Sequence, residues 1–271
     1  MGKVYLIGAG PGDPEFLTVK AARLLARATI VLHDSLVSRE VLNLIPRTAQ
    51  VLDVGKRCGQ KLLTQDEINA LMVFYAASHD TVIRLKGGDP LVFGRAGEEI
   101  EALRRAVVPF EIVPGITAAI GAAAAAGISL TDRRAASQIV ITTYSRGSNP
   151  GTADPFAVAP QLDWAAISSS TTLVLYMPGA DYAEVARRLR EAGQPDDLPC
   201  VIVSNATKPQ QQIRWTTVGK LAAEEKLPAP ALLIVGRVAT HQIQELAATG
   251  WATNRKEPAS DRHKHTHPPI S

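Results

Sequence analysis

The sequence predicts an α/β fold built from two α/β domains. Short runs of β-branched residues alternate with helix-length segments, which is typical of strands joined by helices. The alternation occurs in two consecutive series, and 271 residues are enough for two domains of about 100–200 residues each. We therefore expect domains over residues 1–114 and 115–245, followed by a polar tail over residues 246–271 that is predicted to be disordered.

The first series predicts a parallel sheet. Its five expected strands are residues 4–7, 30–32, 51–54, 82–85 and 111–113. Thr18 precedes an amphipathic segment and predicts the start of a helix. Thr64 and Glu67 have the spacing of a capping box before apolar residues at helical intervals, and this predicts a second helix.

The second series begins at residue 139. Its expected strands are residues 139–142, 172–176, 199–203, 212–216 and 231–235, with helices near residues 182–192 and 218–225. Between the two series, residues 115–126 are expected to form a helix and a hinge. Residues 147–170 are rich in small and turn-forming residues, and they predict a long surface loop or a lid.

Composition argues against several classes of protein. Lysine and arginine number 29 and aspartate and glutamate 26, and a net charge of +3 does not suit a surface that coats nucleic acid. Cys58 and Cys200 lack a metal-binding or redox spacing and fit a reducing compartment. The apolar stretch 118–128 is shorter than the roughly 18 residues that span a bilayer. We expect a cytoplasmic protein that binds no metal, nucleic acid or membrane.

A first glycine-rich loop, residues 8–14, follows the first predicted strand. It is similar to the dinucleotide fingerprint G-x-G-x-x-G, but Asp13 stands where the third glycine belongs. Pro11 and Pro14 also lack a backbone N–H, so the loop is a poor cradle for phosphate. This loop is open to two interpretations. It is either a simple strand-to-helix turn or part of the cofactor site of a dinucleotide-dependent oxidoreductase.

A second loop, after the strand at 82–85, carries more chemistry. Gly87 and Gly88 would let a ligand approach the backbone, and Asp89 can accept hydrogen bonds at the end of a strand, where ligands bind in such sheets. Arg95 and Glu98 are three residues apart and share one face of the following helix. They form either a surface ion pair or a clamp for a substrate.

Six segments together, in their order and spacing, resemble the tetrapyrrole methylase superfamily and its uroporphyrinogen-III C-methyltransferases in particular. These segments are residues 8–14, 55–57, 84–90, 93–95, 113–118 and 176–177. The resemblance extends from residue 4 to about residue 242. It implies a two-domain homodimer that binds S-adenosylmethionine in the cleft between its domains.

The resemblance further implies a reaction. Uroporphyrinogen III would be methylated at C2 and C7 to give precorrin-2, with S-adenosylhomocysteine as the other product, for the synthesis of sirohaem, cobalamin or haem d1. A sibling methyltransferase acting on a later corrin intermediate is the nearest alternative.

Roles for individual residues follow from the same resemblance. Asp34 would accept a proton and Lys56 would donate one, and Arg95 competes as the group that assists proton removal. Close approach of Lys56 would hold Asp34 ionised. The residues implied to line the cofactor site are Pro11, Gly87, Gly88, Asp89, Val92, Thr117, Ala118, Met177 and Ala206.

The implied substrate is a polycarboxylate, so its site needs local cations. Arg57, Arg95, Arg133 and Arg134 are the candidates, because arginine pairs with carboxylates through two parallel hydrogen bonds. The resemblance implies that Arg95, Arg133 and Glu98 contact the macrocycle.

The chain departs from the family pattern at several positions. Asp132 and the Tyr144–Ser145 pair stand where the family usually has histidines, and Ala206 stands where it has glycine. A tetrapyrrole-binding protein without catalytic activity is therefore a further alternative.

Overall fold

A computed structural model describes residues 2–57, 60–61, 63–144, 162–179, 182–240, 244 and 254–256. For residues 56–57, 60–61 and 254–256 it describes the backbone alone. Cys58, Ser145 and most of the predicted loop at 147–170 lie outside the described residues. Within them the chain forms two larger sheets and a short hairpin.

The first sheet is parallel throughout, as the first series of strands predicts. Its order is β3-β2-β6-β1-β7, and a short antiparallel hairpin of β4 and β5 follows β3. The strands are β1 (Lys3–Gly8), β2 (Ile30–His33), β3 (Gln50–Asp53), β4 (Lys56–Arg57), β5 (Gln60–Lys61), β6 (Thr81–Lys86) and β7 (Phe110–Val113).

Helices cover both faces of this sheet, as expected where crossovers join parallel strands. One face packs against α1 (Val19–Leu25) and α2 (Arg39–Leu42), and the other against α3 (Gln65–Ser78) and α4 (Ala96–Arg105). The two predicted helix starts are confirmed. Thr18 caps α1 through the Ala21 N–H, and Thr64 and Glu67 form the capping box of α3.

The second sheet is mixed. Its order is β13-β11-β10-β12-β9-β8, and within it only β8 and β9 run parallel. These strands are β8 (Gln138–Thr143), β9 (Thr171–Tyr176), β10 (Pro199–Ser204), β11 (Gln212–Thr217), β12 (Ala231–Val235) and β13 (Asn254–Lys256).

The helices of the second half flank this sheet. They are α5 (Ala118–Ala126), α6 (Tyr182–Glu191) and α7 (Val218–Leu221). The last of these is shorter than predicted and ends before residue 225. After it the chain makes tighter turns, because the N–H groups of Ala223 and Glu224 donate to carbonyl oxygens three residues back, at 3.0 and 3.2 Å, rather than four.

Strand β13 lies in the segment for which the sequence predicts disorder. It pairs antiparallel with the edge strand β11, over Arg214 to Gln212. An edge strand presents unpaired N–H and C=O groups, and these can recruit a short segment of low intrinsic order. The remainder of residues 246–271 lies outside the described residues.

Membrane-spanning helices and metal clusters are both absent from the part of the chain that the structure describes. None of its helices is long and apolar enough to cross a membrane, and no group of histidine, cysteine, aspartate and glutamate side chains in it could hold a metal ion. Cys200 is buried in the core of the second sheet, where burial raises the pKa of its thiol.

Candidate active site

Loops from three strands meet where β1, β6 and β7 end. A Cβ built on Gly8 would lie 2.6 Å from the Gly115 nitrogen and 2.7 Å from the Gly88 carbonyl oxygen. Gly10 and Gly88 exchange backbone hydrogen bonds of 3.1 and 2.8 Å. The glycines of the two loops therefore serve first to let backbones touch one another, which a side chain would prevent.

Asp89 ties this junction together. Its Oδ2 accepts the Gly115 N–H at 2.9 Å, and its Oδ1 accepts the Leu91 N–H at 2.8 Å. Val92 closes the turn by donating its N–H to the Asp89 carbonyl oxygen at 3.2 Å. The carboxylate predicted to bind the cofactor thus also fixes the loops around it, and each oxygen keeps a further lone pair for a ligand.

The loop after β1 packs against elements of the second half. Pro11 lies on Gly121 of α5, where an added Cβ would come within 2.6 Å of the proline Cγ. The Asp13 N–H donates to Thr207 Oγ1 at 3.2 Å, and Lys208 Nζ donates to the Leu36 carbonyl oxygen at 2.9 Å. We call this contact surface the seam. It is formed by Pro11, Asp13 and Leu36 on one side and by Gly121, Thr207 and Lys208 on the other.

Tyr176, at the end of β9, joins the seam from the second sheet. Its hydroxyl accepts the Ala119 N–H at 2.8 Å and lies 2.5 Å from Thr117 Oγ1, so it caps the start of α5. Its ring centroid is 5.0 Å from that of Phe93. Burial raises the pKa of the Tyr176 phenol, which therefore stays protonated.

Most of the predicted cofactor residues lie along this seam. Met177 follows Tyr176 and is half exposed, and Ala206 is buried beside Thr207. A Cβ on Gly88 would fill the space in front of α5, 3.6 Å from the Ala118 nitrogen. Gly87 adjoins the loop after β2, because its Cβ would lie 3.1 Å from that of Leu36.

Asp34, the predicted proton acceptor, follows β2 at the same edge of the sheet. Its Oδ1 accepts Arg84 Nη2 at 2.5 Å, and its Oδ2 lies 4.0 Å from Lys86 Nζ. The carboxylate side chain is 28% exposed, whereas those of Arg84 and Lys86 are 2% exposed. Asp34 thus stands between solvent and a buried positive charge.

Glu99 of α4 completes this group beneath the surface. Its Oε1 accepts both Arg84 Nε and Lys86 Nζ at 2.9 Å, and Gln65 Nε2 lies at 3.5 Å. The Glu99 side chain is fully buried, and its Oε2 has no hydrogen-bond partner in the described part of the chain. Two cations therefore share one buried and one partly exposed carboxylate.

Arg95 and Glu98 lie on the outer side of the same helix start. Two hydrogen bonds of 2.7 and 2.6 Å join the guanidinium to the carboxylate, and both side chains are about half exposed. The hydrogen bonds that Arg95 donates to Glu98 raise the pKa of Arg95 above its ordinary value. Arg95 is therefore a poor proton acceptor in this arrangement.

Backbone strain is concentrated around the seam. Six non-glycine residues among those described have a left-handed backbone, and all but Val107 lie in the loops around this site; these are Phe93, Arg95, Met177, Asn205 and Thr207. Such conformations cost about 1–3 kcal/mol each and tend to gather at functional sites. The strain supports the seam as the functional site.

The remaining predicted substrate residues are more dispersed. Arg134 donates two hydrogen bonds to Asp132, of 3.0 and 2.7 Å. Asp132, which departs from the family pattern, is therefore the ion-pair partner of one of the candidate substrate-binding arginines. Arg133 is exposed in the same turn. Lys56 and Arg57 lie in β4, and their side chains are outside the described part of the chain.

The sequence does not reveal the partner of Asp34 directly. The family pattern pairs Asp34 with Lys56 and leaves Arg84, Lys86 and Glu99 without a role. A signal is nevertheless present, because alternate residues of a strand share a face, and Arg84 and Lys86 therefore point to one side of a central strand that must be buried. Buried cations need carboxylate partners, and α4 is the helix that supplies one.

Comparison with known proteins identifies the family. Residues 3–222 match the family model described as tetrapyrrole (corrin/porphyrin) methylases. A uroporphyrinogen-III C-methyltransferase of Paracoccus denitrificans is 49% identical over 243 residues, covering 88% of this chain and 82% of the relative. A sirohaem synthase of Actinobacillus pleuropneumoniae is 44% identical over 88% of this chain, and the chain spans 48% of that longer protein.

Solved structures agree. The uroporphyrin-III C-methyltransferase of Thermus thermophilus, solved with S-adenosylhomocysteine, has a TM-score of 0.73 and 37% identity, over 89% of this chain and all of that one. A cobalt precorrin-4 methyltransferase has the same TM-score at 30% identity, over 86% of this chain and 94% of that one.

Proposed function

The chain belongs to the tetrapyrrole methylase family, and we propose that it transfers methyl groups from S-adenosylmethionine to C2 and C7 of uroporphyrinogen III. The products are precorrin-2 and S-adenosylhomocysteine. The observation that carries this proposal is the placement of the Asp34 carboxylate. Arg84 holds it at the same edge of the first sheet at which Gly8, Gly88 and Gly115 meet. The identity to the Paracoccus methyltransferase supports the choice of substrate.

The residues of the seam fit S-adenosylmethionine. Gly88 leaves open the space in front of α5, Asp89 has lone pairs for a donor on the ligand, and Met177 offers apolar surface. With them we propose Pro11, Gly87, Val92, Thr117, Ala118 and Ala206 as cofactor residues. When bound, the cofactor supplies a methyl group on a sulfonium, which is already an activated electrophile.

The chain's own residues then position the macrocycle and move protons. Each methylation would form a carbon–carbon bond with an electron pair of the ring and break the methyl carbon–sulfur bond, whose electrons stay on the sulfur of S-adenosylhomocysteine; one proton must afterwards leave the macrocycle. Asp34 is the proposed acceptor of that proton, since its carboxylate is partly exposed and is held in place by Arg84 at the strand end. Lys56 is the proposed donor at the neighbouring strand end. Arg95 keeps its proton and serves in binding.

Substrate carboxylates need cations at the rim of the site. We propose Arg57, Arg95, Arg133 and Arg134 for this role, with Glu98 orienting Arg95 through its paired hydrogen bonds. An exposed ion pair contributes little by itself in water. The Arg95 guanidinium is therefore available to exchange part of its contact with Glu98 for a substrate carboxylate.

The seam argues against a dinucleotide enzyme. The first glycine loop is occupied by contacts with Gly88, Gly115 and Gly121, which take the place that a pyrophosphate would need. For the whole protein we propose a cytoplasmic homodimer that serves sirohaem, cobalamin or haem d1 synthesis. Its two domains would be residues 1–114 and 115–245, with 246–271 as a tail that contributes β13.

The proposed function is tested by incubating the purified protein with uroporphyrinogen III and S-adenosylmethionine without oxygen. We expect a product heavier than the substrate by two methyl groups, with the absorption spectrum of precorrin-2, and two equivalents of S-adenosylhomocysteine. Omission of either reactant is the control. A protein that leaves uroporphyrinogen III unchanged but methylates a later corrin intermediate would contradict the proposal and favour the sibling activity.

A further inference from the structure

The charges beneath Asp34 form a closed group with unusual burial. Arg84 and Lys86 on β6 and Glu99 on α4 are each at most 2% exposed, although lysine, arginine and glutamate are rarely buried. A buried ion pair is costly to desolvate and is often no more stable than apolar residues of similar size. Stability alone therefore does not account for three such groups in one core.

The contacts of Arg84 aim it at Asp34. Its Nε donates to Glu99 at 2.9 Å, and its Nη1 donates to the carbonyl oxygens of Leu85 and Leu32 at 3.3 and 3.5 Å. Its Nη2 is then directed to Asp34 Oδ1. A guanidinium fixed on its other sides gives the carboxylate a single orientation.

Lys86 connects Asp34 with the loop that carries Arg95. Its Nζ lies 2.9 Å from Glu99 and 4.0 Å from Asp34, and its Cε would lie 3.1 Å from a Cβ on Gly94. Burial, followed by the neighbouring Arg84 cation, lowers the pKa of Lys86. Lys86 thus lies under both the proton acceptor and the strained turn that presents Arg95.

We propose that Arg84, Lys86 and Glu99 form a buried charge cluster that positions the Asp34 carboxylate for proton removal. The inference rests on the proposed function, in which Asp34 is the base. The two cations hold the Asp34 carboxylate, and Glu99 holds both cations in place. These three are positioning residues, because they are buried and would act through Asp34.

Two further titratable groups lie near Asp34. His33 precedes it on β2, with Nδ1 3.1 Å from the Asp34 carbonyl oxygen, and Asp53 ends β3 and accepts a hydrogen bond from Ser35. The side chain of Lys56 is outside the described part of the chain. Arg84 and Lys86 form ion pairs with the Asp34 carboxylate itself, so changes in the cluster should act on Asp34 most strongly.

The test is the dependence of kcat on pH, at saturating uroporphyrinogen III and S-adenosylmethionine. The informative quantity is the acid-side pH at which kcat is half its maximum. Lys86→Met removes a positive charge near the base, so this pH should rise by about one unit or more. Glu99→Gln removes a negative charge, so this half-maximum pH should fall. The double variant removes one charge of each sign and should return toward the parent value.

Matched controls lie on the surface of the same half of the chain. Lys20→Met breaks an exposed pair with Glu111, and Glu101→Gln breaks an exposed pair with Arg105 on α4. Neither should change the acid-side pH at which kcat is half its maximum, which we call the position of the acid limb. In the cluster variants KM should change little, because a buried positioning residue does not contact the substrate. If the cluster had a purely structural role, both Lys86→Met and Glu99→Gln would lower kcat at every pH, and the acid limb would not move in opposite directions in the two variants.

The outcomes are distinct. The proposed role of the cluster would be overturned if the acid limb stayed in place, or moved in the same direction, in both folded single variants. The proposed function would still stand in that case, because the parent enzyme would still methylate its substrate. Thermal unfolding shows which variants fold, and if Lys86→Met does not, the direction in Glu99→Gln decides. Absence of methylation by the parent protein would overturn the proposed function, and the inference with it.

Discussion

Pro11 and Gly121 are in direct contact across the seam. A Cβ on Gly121 would lie 2.6 Å from Pro11 Cγ and 2.7 Å from its Cβ. Pro11 is buried and conformationally fixed, and Gly121 lies inside the helix α5, so neither can move aside easily. The loop after β1 and the first turns of α5 are therefore positioned by one interlocking pair.

Gly121→Ala is expected to displace the Pro11 loop. Overpacking of this kind costs about 1–3 kcal/mol, which exceeds the gain of up to about 1 kcal/mol from replacing glycine in a helix. We expect lower thermal stability and weaker S-adenosylmethionine binding by calorimetry. Gly97→Ala, also in a helix but with no described atom within 4 Å of its added Cβ, is the matched control and should be neutral or stabilising.

Asp34→Asn should preserve the shape of the site and both binding affinities. Turnover should fall by about 10²–10⁴-fold, the usual contribution of a positioned acid–base group. Lys56→Met should also slow turnover, and the double variant should lose less than the two singles combined if the residues act together. Near-normal turnover in Asp34→Asn at saturating ligands would remove the carboxylate from the role of base.

Arg95→Ala should weaken binding of the tetrapyrrole and leave S-adenosylmethionine affinity nearly constant. A charge-assisted contact contributes about 1.5–3 kcal/mol, and the unpaired Glu98 would additionally repel a polycarboxylate. Substrate KM and cofactor Kd measure the two effects. Arg105→Ala, in an exposed pair on the same helix, is the control. Loss of cofactor affinity alone would place Arg95 on the other side of the site.

Val107→Gly is expected to stabilise the protein. Val107 has a left-handed backbone with φ of 56°, and the residue is 81% exposed, so little packing is lost. Relief of about 1–2 kcal/mol of strain outweighs the entropy cost of glycine, about 0.5–1 kcal/mol. Val19→Gly, similarly exposed but at the start of α1, should destabilise. Urea midpoints of the two variants should therefore move in opposite directions.

Glu184 gives a prediction for acid pH. Hydrogen bonds from Arg187, then from Arg188, lower the pKa of Glu184 from 4.5 to about 2. Because the folded pKa is the lower one, the stabilisation is present above pH 4.5 and is lost as pH falls toward 2. Glu184→Gln should reduce the melting temperature at about pH 7, and the difference should shrink between about pH 5 and 2. A constant difference across that range would contradict the assignment.

The sequence predicts the strands and the start of α3 well because runs of β-branched residues and the Thr64–Glu67 capping box are local signals. It does not predict the antiparallel pairings of the second sheet, since these depend on how distant strands meet. The Arg84–Glu99 contact joins residues 15 apart on a strand and a helix, and only the packing of α4 on the sheet brings them together. The resemblance to the family singles out Asp34, whereas the alternation of Arg84 and Lys86 only hints at buried cations, and the fold is needed to place them against Asp34.

Glu98 and Glu99 are neighbours in sequence, yet one reaches outward to Arg95 and the other inward to Arg84 and Lys86. Successive residues of a helix are turned by about 100°, so the first turn of α4 sets both directions at once. Inserting or deleting a single residue between Arg95 and Glu98 would rotate both carboxylates away from their partners together. No single substitution could restore both contacts, so this turn should reject changes of length that the surface loops of the chain would accept.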